Sequence, residues 1–118
     1  MKFERVTLPS CEYLTGVVVA IDVLRAFSSA AYAFGQGAQS ILLTSSIEEA
    51  FALKQRFPSA LVMGEVGGLP IGGFDYGNSP AAIQNLDLRG RRAVQRTSAG
   101  TQGVVRSTSA DEVLLCSL

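Results

Sequence analysis

Asp22, Arg25, Glu65, Arg96, Thr97 and Ser98 are the side chains here best suited to chemistry, because each group follows directly on a run that reads as a β-strand. Asp22 and Arg25 follow Val17 to Ile21, Glu65 follows Ala60 to Gly64, and the Arg96 group follows Ala93 to Gln95. Open parallel sheets bind ligands at the carboxyl ends of their strands, so the three groups are expected on one rim. Asp22 and Glu65 are the candidate ligands for a hard dication such as magnesium, which takes oxygen ligands and keeps water or substrate oxygens in its other positions. Both have plainer readings. An aspartate just after a strand also caps the helix that follows, and a loop glutamate also pairs with Arg25 or Arg96 in a weak surface bridge.

Arg25 stands where a helix should begin, and a cation there opposes the helix dipole unless an anion accompanies it. Together with Thr97, Ser98, Gly100 and Thr101, and with the turn opened by Asn78 and Ser79, it could supply donors to phosphate or sulfonate oxygens. Any one of these hydroxyls alone would pass as turn chemistry.

Several other chemistries are excluded. The chain has no histidine, which removes the usual general base and the commonest transition-metal ligand. Gly67 and Gly72 have P-loop spacing, but Gly73 stands where the lysine is needed, and Gly35-Gln36-Gly37 has Ser40 in place of the third glycine. Cys11 has Val17 rather than arginine six residues on, and Leu24 stands where an aspartyl phosphatase of the haloacid dehalogenase type would carry its second carboxylate. Cys11 and Cys116 have no metal-ligand spacing and read as ordinary apolar residues.

The elements that must position these groups follow from periodicity. Lys2 to Leu8 alternates enough to suggest a first strand. Leu14 to Ile21 reads as a strand buried on both faces, being a continuous run rich in β-branched residues. Phe27, Ala30, Ala31 and Phe34 then recur at helical spacing until Gly35 and Gly37. Ile41 to Leu43 is a short strand, and Ser46 with Glu49 has the spacing of a capping box opening a helix that Pro58 ends. Ala60 to Gly64 is the next strand, followed by a loop, Glu65 to Gly77, with five glycines and one proline. Pro80 sits near the first position of a further turn, Gly100 and Thr101 open the last helical stretch, and Ala93 to Gln95 and Val113 to Cys116 complete the strands. This alternation predicts a three-layer αβα domain of the α/β class with a mainly parallel sheet, one domain over residues 1–118. The chain stops within a strand, so the expectation is a segment truncated at its C-terminus, whose uncovered last strand invites a homodimer.

Composition limits the partners. Of 118 residues, 47% are apolar and 17% charged, a folded globule by these shares. Ten basic and ten acidic residues cancel, leaving no overall field to recruit nucleic acid or an anionic membrane. The longest strongly apolar stretch is far too short to span a bilayer, and nothing resembles a signal peptide, so the expected location is cytoplasmic.

Four blocks in order carry a family resemblance: Val18-Val19-Ala20-Ile21-Asp22-Val23-Leu24-Arg25-Ala26; Gly64-Glu65 with Gly67-Gly68; Gly73-Phe74-Asp75-Tyr76-Gly77-Asn78-Ser79-Pro80; and Arg96-Thr97-Ser98-Ala99-Gly100-Thr101. The chain resembles the 2-phosphosulfolactate phosphatases over nearly its whole length. The resemblance implies magnesium-dependent hydrolysis of 2-phospho-3-sulfolactate to 3-sulfolactate and phosphate, a step of coenzyme M biosynthesis. It also implies that Asp22, Arg25, Glu65, Asp75, Asn78 and Ser79 occupy the family's motif positions, Asp75 among the catalytic candidates. Ala99 departs from the asparagine common in the last block, which bears on substrate identity. The nucleophile stays open between a metal-bound water and an attacking Asp22 or Asp75. Two rival readings remain: an α/β module that binds an anionic metabolite without turning it over, and a segment that needs residues from a further part of the protein.

Overall fold

The computed structural model describes residues 1–117; Leu118 lies outside the described residues. In chain order, a 3-10 helix, Leu8–Tyr13, is followed by β1 (Val17–Ile21), α1 (Ala26–Gly35), β2 (Ser40–Leu43), α2 (Ile47–Arg56), β3 (Leu61–Val66), β4 (Leu69–Pro70), β5 (Tyr76–Gly77), α3 (Pro80–Ile83), β6 (Arg92–Arg96), α4 (Gly100–Arg106) and β7 (Glu112–Cys116). No helix among the described residues is long and apolar enough to cross a membrane.

The main sheet runs β2-β6-β3-β4, with β5 also paired to β3. β6 is parallel to both β2 and β3, so the carboxyl ends of these three strands share one rim. Side chains of β3 and β6 alternate between two cores, as the pleat requires. Leu61, Met63 and Ala93 pack with Ala33 of α1 and Ile83 of α3, and Val62 and Val94 pack with Ala50 of α2 on the other face. Helices therefore cover the sheet on both sides, and the domain is a three-layer α/β structure.

Local chemistry explains the element ends. Ser46 Oγ accepts from Glu49 N at 3.1 Å, while the Glu49 carboxylate reaches back to accept from Ser45 N at 3.3 Å, one residue beyond the usual partner. This satisfies two donors at the entry to α2. Gly67 and Gly68, at φ 58° and 83°, form the two-residue turn of the β3–β4 hairpin, in which Val66 pairs Leu69. Positive φ at both central residues is what a type I′ turn demands.

Two sequence expectations are corrected. Lys2 to Leu8 forms no strand; instead Pro9 enters the first turn of the 3-10 helix, where its missing N–H costs nothing. β1 is not buried on both faces: Val18 is buried, but Val17, Val19 and Ile21 are 63%, 51% and 70% exposed. Among the described residues β1 pairs only with β7, as a two-stranded parallel ribbon. Among the described residues one face of that ribbon is uncovered, although the run has the β-branched residues that suit a strand.

Gly64 is where β3 and β6 approach most closely. It has φ 154°, and a Cβ there would collide with the Arg96 carbonyl. Gly16 also has positive φ, at 75°, but with open space around its Cβ position. Gly64→Ala is expected to destabilise the fold by about 3 kcal/mol through overpacking. Gly16→Ala should cost about 1 kcal/mol, the backbone term alone. Urea midpoints of the two variants measure the difference, and equal losses would contradict the close-approach argument.

Candidate active site

The loop from Arg96 to Gly100, leaving the central strand β6, holds the rim together. Glu65, near the end of β3, is buried at 8% exposure, and protein donors meet both of its oxygens. Ser98 N donates to Oε1 at 2.6 Å, Gly68 N to Oε2 at 2.6 Å, and Ser98 Oγ to Oε2 at 3.2 Å. Ser98 Oγ in turn accepts from Gly67 N at 2.8 Å. Burial pushes the Glu65 carboxyl up, but the bonds from Ser98 N, Gly68 N and Ser98 Oγ, with the nearby Arg96 charge, outweigh it. The net shift is downward.

Asp22, just past β1, meets the far end of the same loop. Its Oδ1 accepts from Ala26 N at 3.1 Å, the helix-capping role that the sequence allowed. Its Oδ2 has no hydrogen-bond partner among the described residues and stands 2.8 Å from where a Cβ on Gly100 would lie. That Cβ would also fall 2.6 Å from Ala26 Cβ, so glycine at position 100 is what lets α4 start against Asp22 and α1. Thus Asp22 and Glu65, from strands in different sheets, both abut the Arg96–Gly100 loop.

The arginines keep free valences. Arg96 Nη1 donates to the Glu65 carbonyl at 3.0 Å, while its Nε is buried with no acceptor among the described residues. Arg25 is exposed at the cap position of α1; its carbonyl accepts from Ser29 N and Ser28 Oγ. Its guanidinium has no partner among the described residues.

Other expected site residues divide. Thr97 and Thr101 are buried and bond to each other: Thr97 N donates to Thr101 Oγ1 at 2.8 Å, and Thr101 N to Thr97 Oγ1 at 3.1 Å. Their hydroxyls bond within the loop and so shape it. Asn78, directly after β5, is buried with its Oδ1 toward Gln95. Ser79 precedes α3 and makes no side-chain capping bond.

Asp75 stands apart. Its carboxylate accepts from Val62 N at 2.8 Å and pairs with Lys54 Nζ at 3.2 Å. Since Val62 lies three residues before Glu65 on β3, this is about 10 Å from the rim at roughly 3.3 Å per residue. Its place in a glycine-rich block suggested the rim, but a backbone pairing invisible in the sequence put it at the other end of the strand. Gln95 was missed; its only signal was a neutral polar residue directly after the apolar pair Ala93-Val94.

No group of three or more histidine, cysteine, aspartate or glutamate side chains suited to a metal is present among the described residues. Magnesium needs fewer, since it uses one or two carboxylates and completes its shell with water and phosphate oxygens. Of the two carboxylates, Asp22 Oδ2 is the open oxygen among the described residues, and Glu65 Oε1 accepts a single bond.

A family model for 2-phosphosulpholactate phosphatase matches residues 5–118. The chain belongs to this family. A probable 2-phosphosulfolactate phosphatase of Deinococcus radiodurans is 42% identical over 112 residues, 94% of this chain and 46% of the relative. Proteins of the same description from Carboxydothermus hydrogenoformans and Bacillus subtilis are 41% and 37% identical, over 86% and 82% of this chain and 42% of each relative. The chain therefore spans less than half the length of these curated relatives.

The lowered Glu65 pKa fixes a pH dependence. A carboxyl with a folded-state pKa below its unfolded value of about 4.3 contributes stability that is complete well above that value and is lost as pH falls through the folded pKa. Glu65→Ala is expected to lose about 2 kcal/mol at pH 7. The gap to the unaltered protein should narrow as pH falls through the folded-state pKa of Glu65. Denaturant titrations of both proteins at a series of pH values check this; a gap constant with pH would contradict the charged clasp.

Proposed function

We propose that the protein carrying this segment is a magnesium-dependent phosphatase. It hydrolyses 2-phospho-3-sulfolactate, or a closely related small ester of several negative charges, to the free hydroxy acid and phosphate. For phosphosulfolactate this would be a step toward coenzyme M, in the cytoplasm. The observation that carries the reading is the buried Arg96 Nε with no acceptor among the described residues; Asp22 Oδ2 and the guanidinium of Arg25, on the turn after β1, likewise have no partner among them. A buried donor without a partner calls for an outside acceptor, and an ester carrying phosphate, carboxylate and sulfonate supplies several.

In this reading Arg96 and Arg25 hold anionic oxygens, with the planar guanidinium suited to two at once. The Asn78 amide adds a neutral donor. Asp22 and Glu65 would hold the magnesium ion, which when bound neutralises phosphate charge. Glu65 and Ser98 keep the loop in shape, so the donors need little reorganisation as charge moves to the departing oxygen. The phosphorus–oxygen ester bond breaks, a new bond forms from phosphorus to the attacking oxygen, and the departing alkoxide takes up a proton. The engagement of Asp75 by Lys54 and Val62 favours water or Asp22 as the attacker.

Asp22→Asn keeps an oxygen for the Ala26 cap, so stability should change by less than about 1 kcal/mol. Magnesium-dependent phosphate release should nonetheless fall by about 10²-fold or more. Thermal melts and a phosphate-release assay with and without magnesium read the two quantities. Release from the unaltered protein that ignores magnesium would remove the metal from the proposal, and no release from any small phosphorylated acid would leave a binding module. A single turnover in oxygen-labelled water then tests direct attack: label found in the Asp22 carboxylate eliminates it and requires an acyl phosphate.

A further inference from the structure

We propose that Gln95 is a positioning residue for this site, fixing the Asn78 amide so that its N–H groups face the ligand and tying it to the start of α1. The inference rests on the phosphatase reading above. Gln95 lies on the central strand, paired with Leu43 on one side and Met63 on the other, and its side chain is fully buried. It shares its face of the sheet with Ala93, in the apolar core beneath α1 and α3.

An amide in such a place is costly unless it is bonded, and here it is bonded at one end only. Nε2 donates to the Ala26 carbonyl at 2.7 Å and reaches Asn78 Oδ1 at 3.5 Å. Oε1 has no partner among the described residues. The amide cannot be turned over to repair this, because Oε1 would then face the Ala26 carbonyl at 2.7 Å, oxygen against oxygen. A methionine or leucine would fill the volume without an orphaned acceptor. Stability therefore gives no reason for glutamine, and its two acceptors do.

Those acceptors belong to the two segments that flank the site. Ala26 begins α1, directly after Arg25, and its amide is the one that Asp22 caps. Asn78 directly follows β5, and with Oδ1 turned toward Gln95 its Nδ2 is the free end, making no hydrogen bond among the described residues. Arg96 is the next residue along β6. One buried side chain thus links the Asp22–Arg25 turn, Asn78 and the Arg96 strand while touching no ligand itself.

Gln95→Met is the test, because it keeps the shape and removes both donors. The expected result is a melting temperature within a few degrees of the unaltered protein, with KM for the phosphate ester raised about tenfold and kcat changed less than threefold. Adding Asn78→Ala to it should cost no more than Asn78→Ala alone. Unchanged kinetics in Gln95→Met, or losses that multiply in the double variant, would overturn the proposal.

A second measurement needs no variant and no turnover, which separates it from the phosphatase reading. Titrating the protein with inorganic phosphate should shift the Asn78 side-chain NH2 resonances, while the Gln95 side-chain amide stays protected from hydrogen exchange. Asn78 signals that do not move, or a Gln95 amide exchanging like an exposed one, would overturn the positioning role even if hydrolysis is never observed. Should Gln95→Met fail to fold, this titration alone decides.

Discussion

The Glu65 carboxylate is the constraint on which the rim depends. A buried negative charge is tolerated only when hydrogen bonds replace its water, and the donors that do so are Ser98 N and Oγ and Gly68 N. Each charge-assisted bond of this kind contributes about 1.5 to 3 kcal/mol. Together they fasten the β3–β4 turn to the loop after β6. The Arg96 guanidinium, bonded to the Glu65 carbonyl, is held beside the same loop. Gly64 makes the arrangement sterically feasible, since any Cβ there would push the two strands apart.

The two carboxylates share the labour unequally. Three protein donors already meet Glu65, so it works chiefly as an organiser, whereas Asp22 gives one oxygen to the α1 cap and leaves the other open. The arginines show the opposite pattern, with donors to spare. A rim that holds its acids by internal bonds and leaves its bases unsatisfied suits a negatively charged visitor.

Local patterns were legible in the sequence to the extent that local forces decide them. The Ser46–Glu49 box, the helical spacing through Phe27 and Ala30, and the strand-then-chemistry order at Ile21–Asp22 and Gln95–Arg96 all reflect interactions between near neighbours. Pairings across long stretches of chain were not legible. Asp75 went to Val62 and Lys54, 13 and 21 residues away, because backbone register chose its partners. Gly67-Gly68 carried a hairpin signal between Val66 and Leu69, but it was submerged in a longer glycine-rich stretch. The alternation in Lys2 to Leu8 misled for the same reason in reverse, since an apolar pattern makes a strand only where a neighbouring strand is free to receive it.

The open face of the β1–β7 ribbon has a mechanical consequence. Val17, Val19 and Ile21 forgo the roughly 1.5 to 3 kcal/mol that each would gain from full burial, so this ribbon is held mainly from one side, where α4 packs on β1. β3, by contrast, is covered on both sides and has five successive buried residues. Segments with few buried apolar contacts open at lower free energy than those in the core. Asp22 therefore follows a strand with a single neighbour among the described residues while Glu65 stands on one covered from both sides, so the Asp22 side of the rim is expected to open at lower free energy.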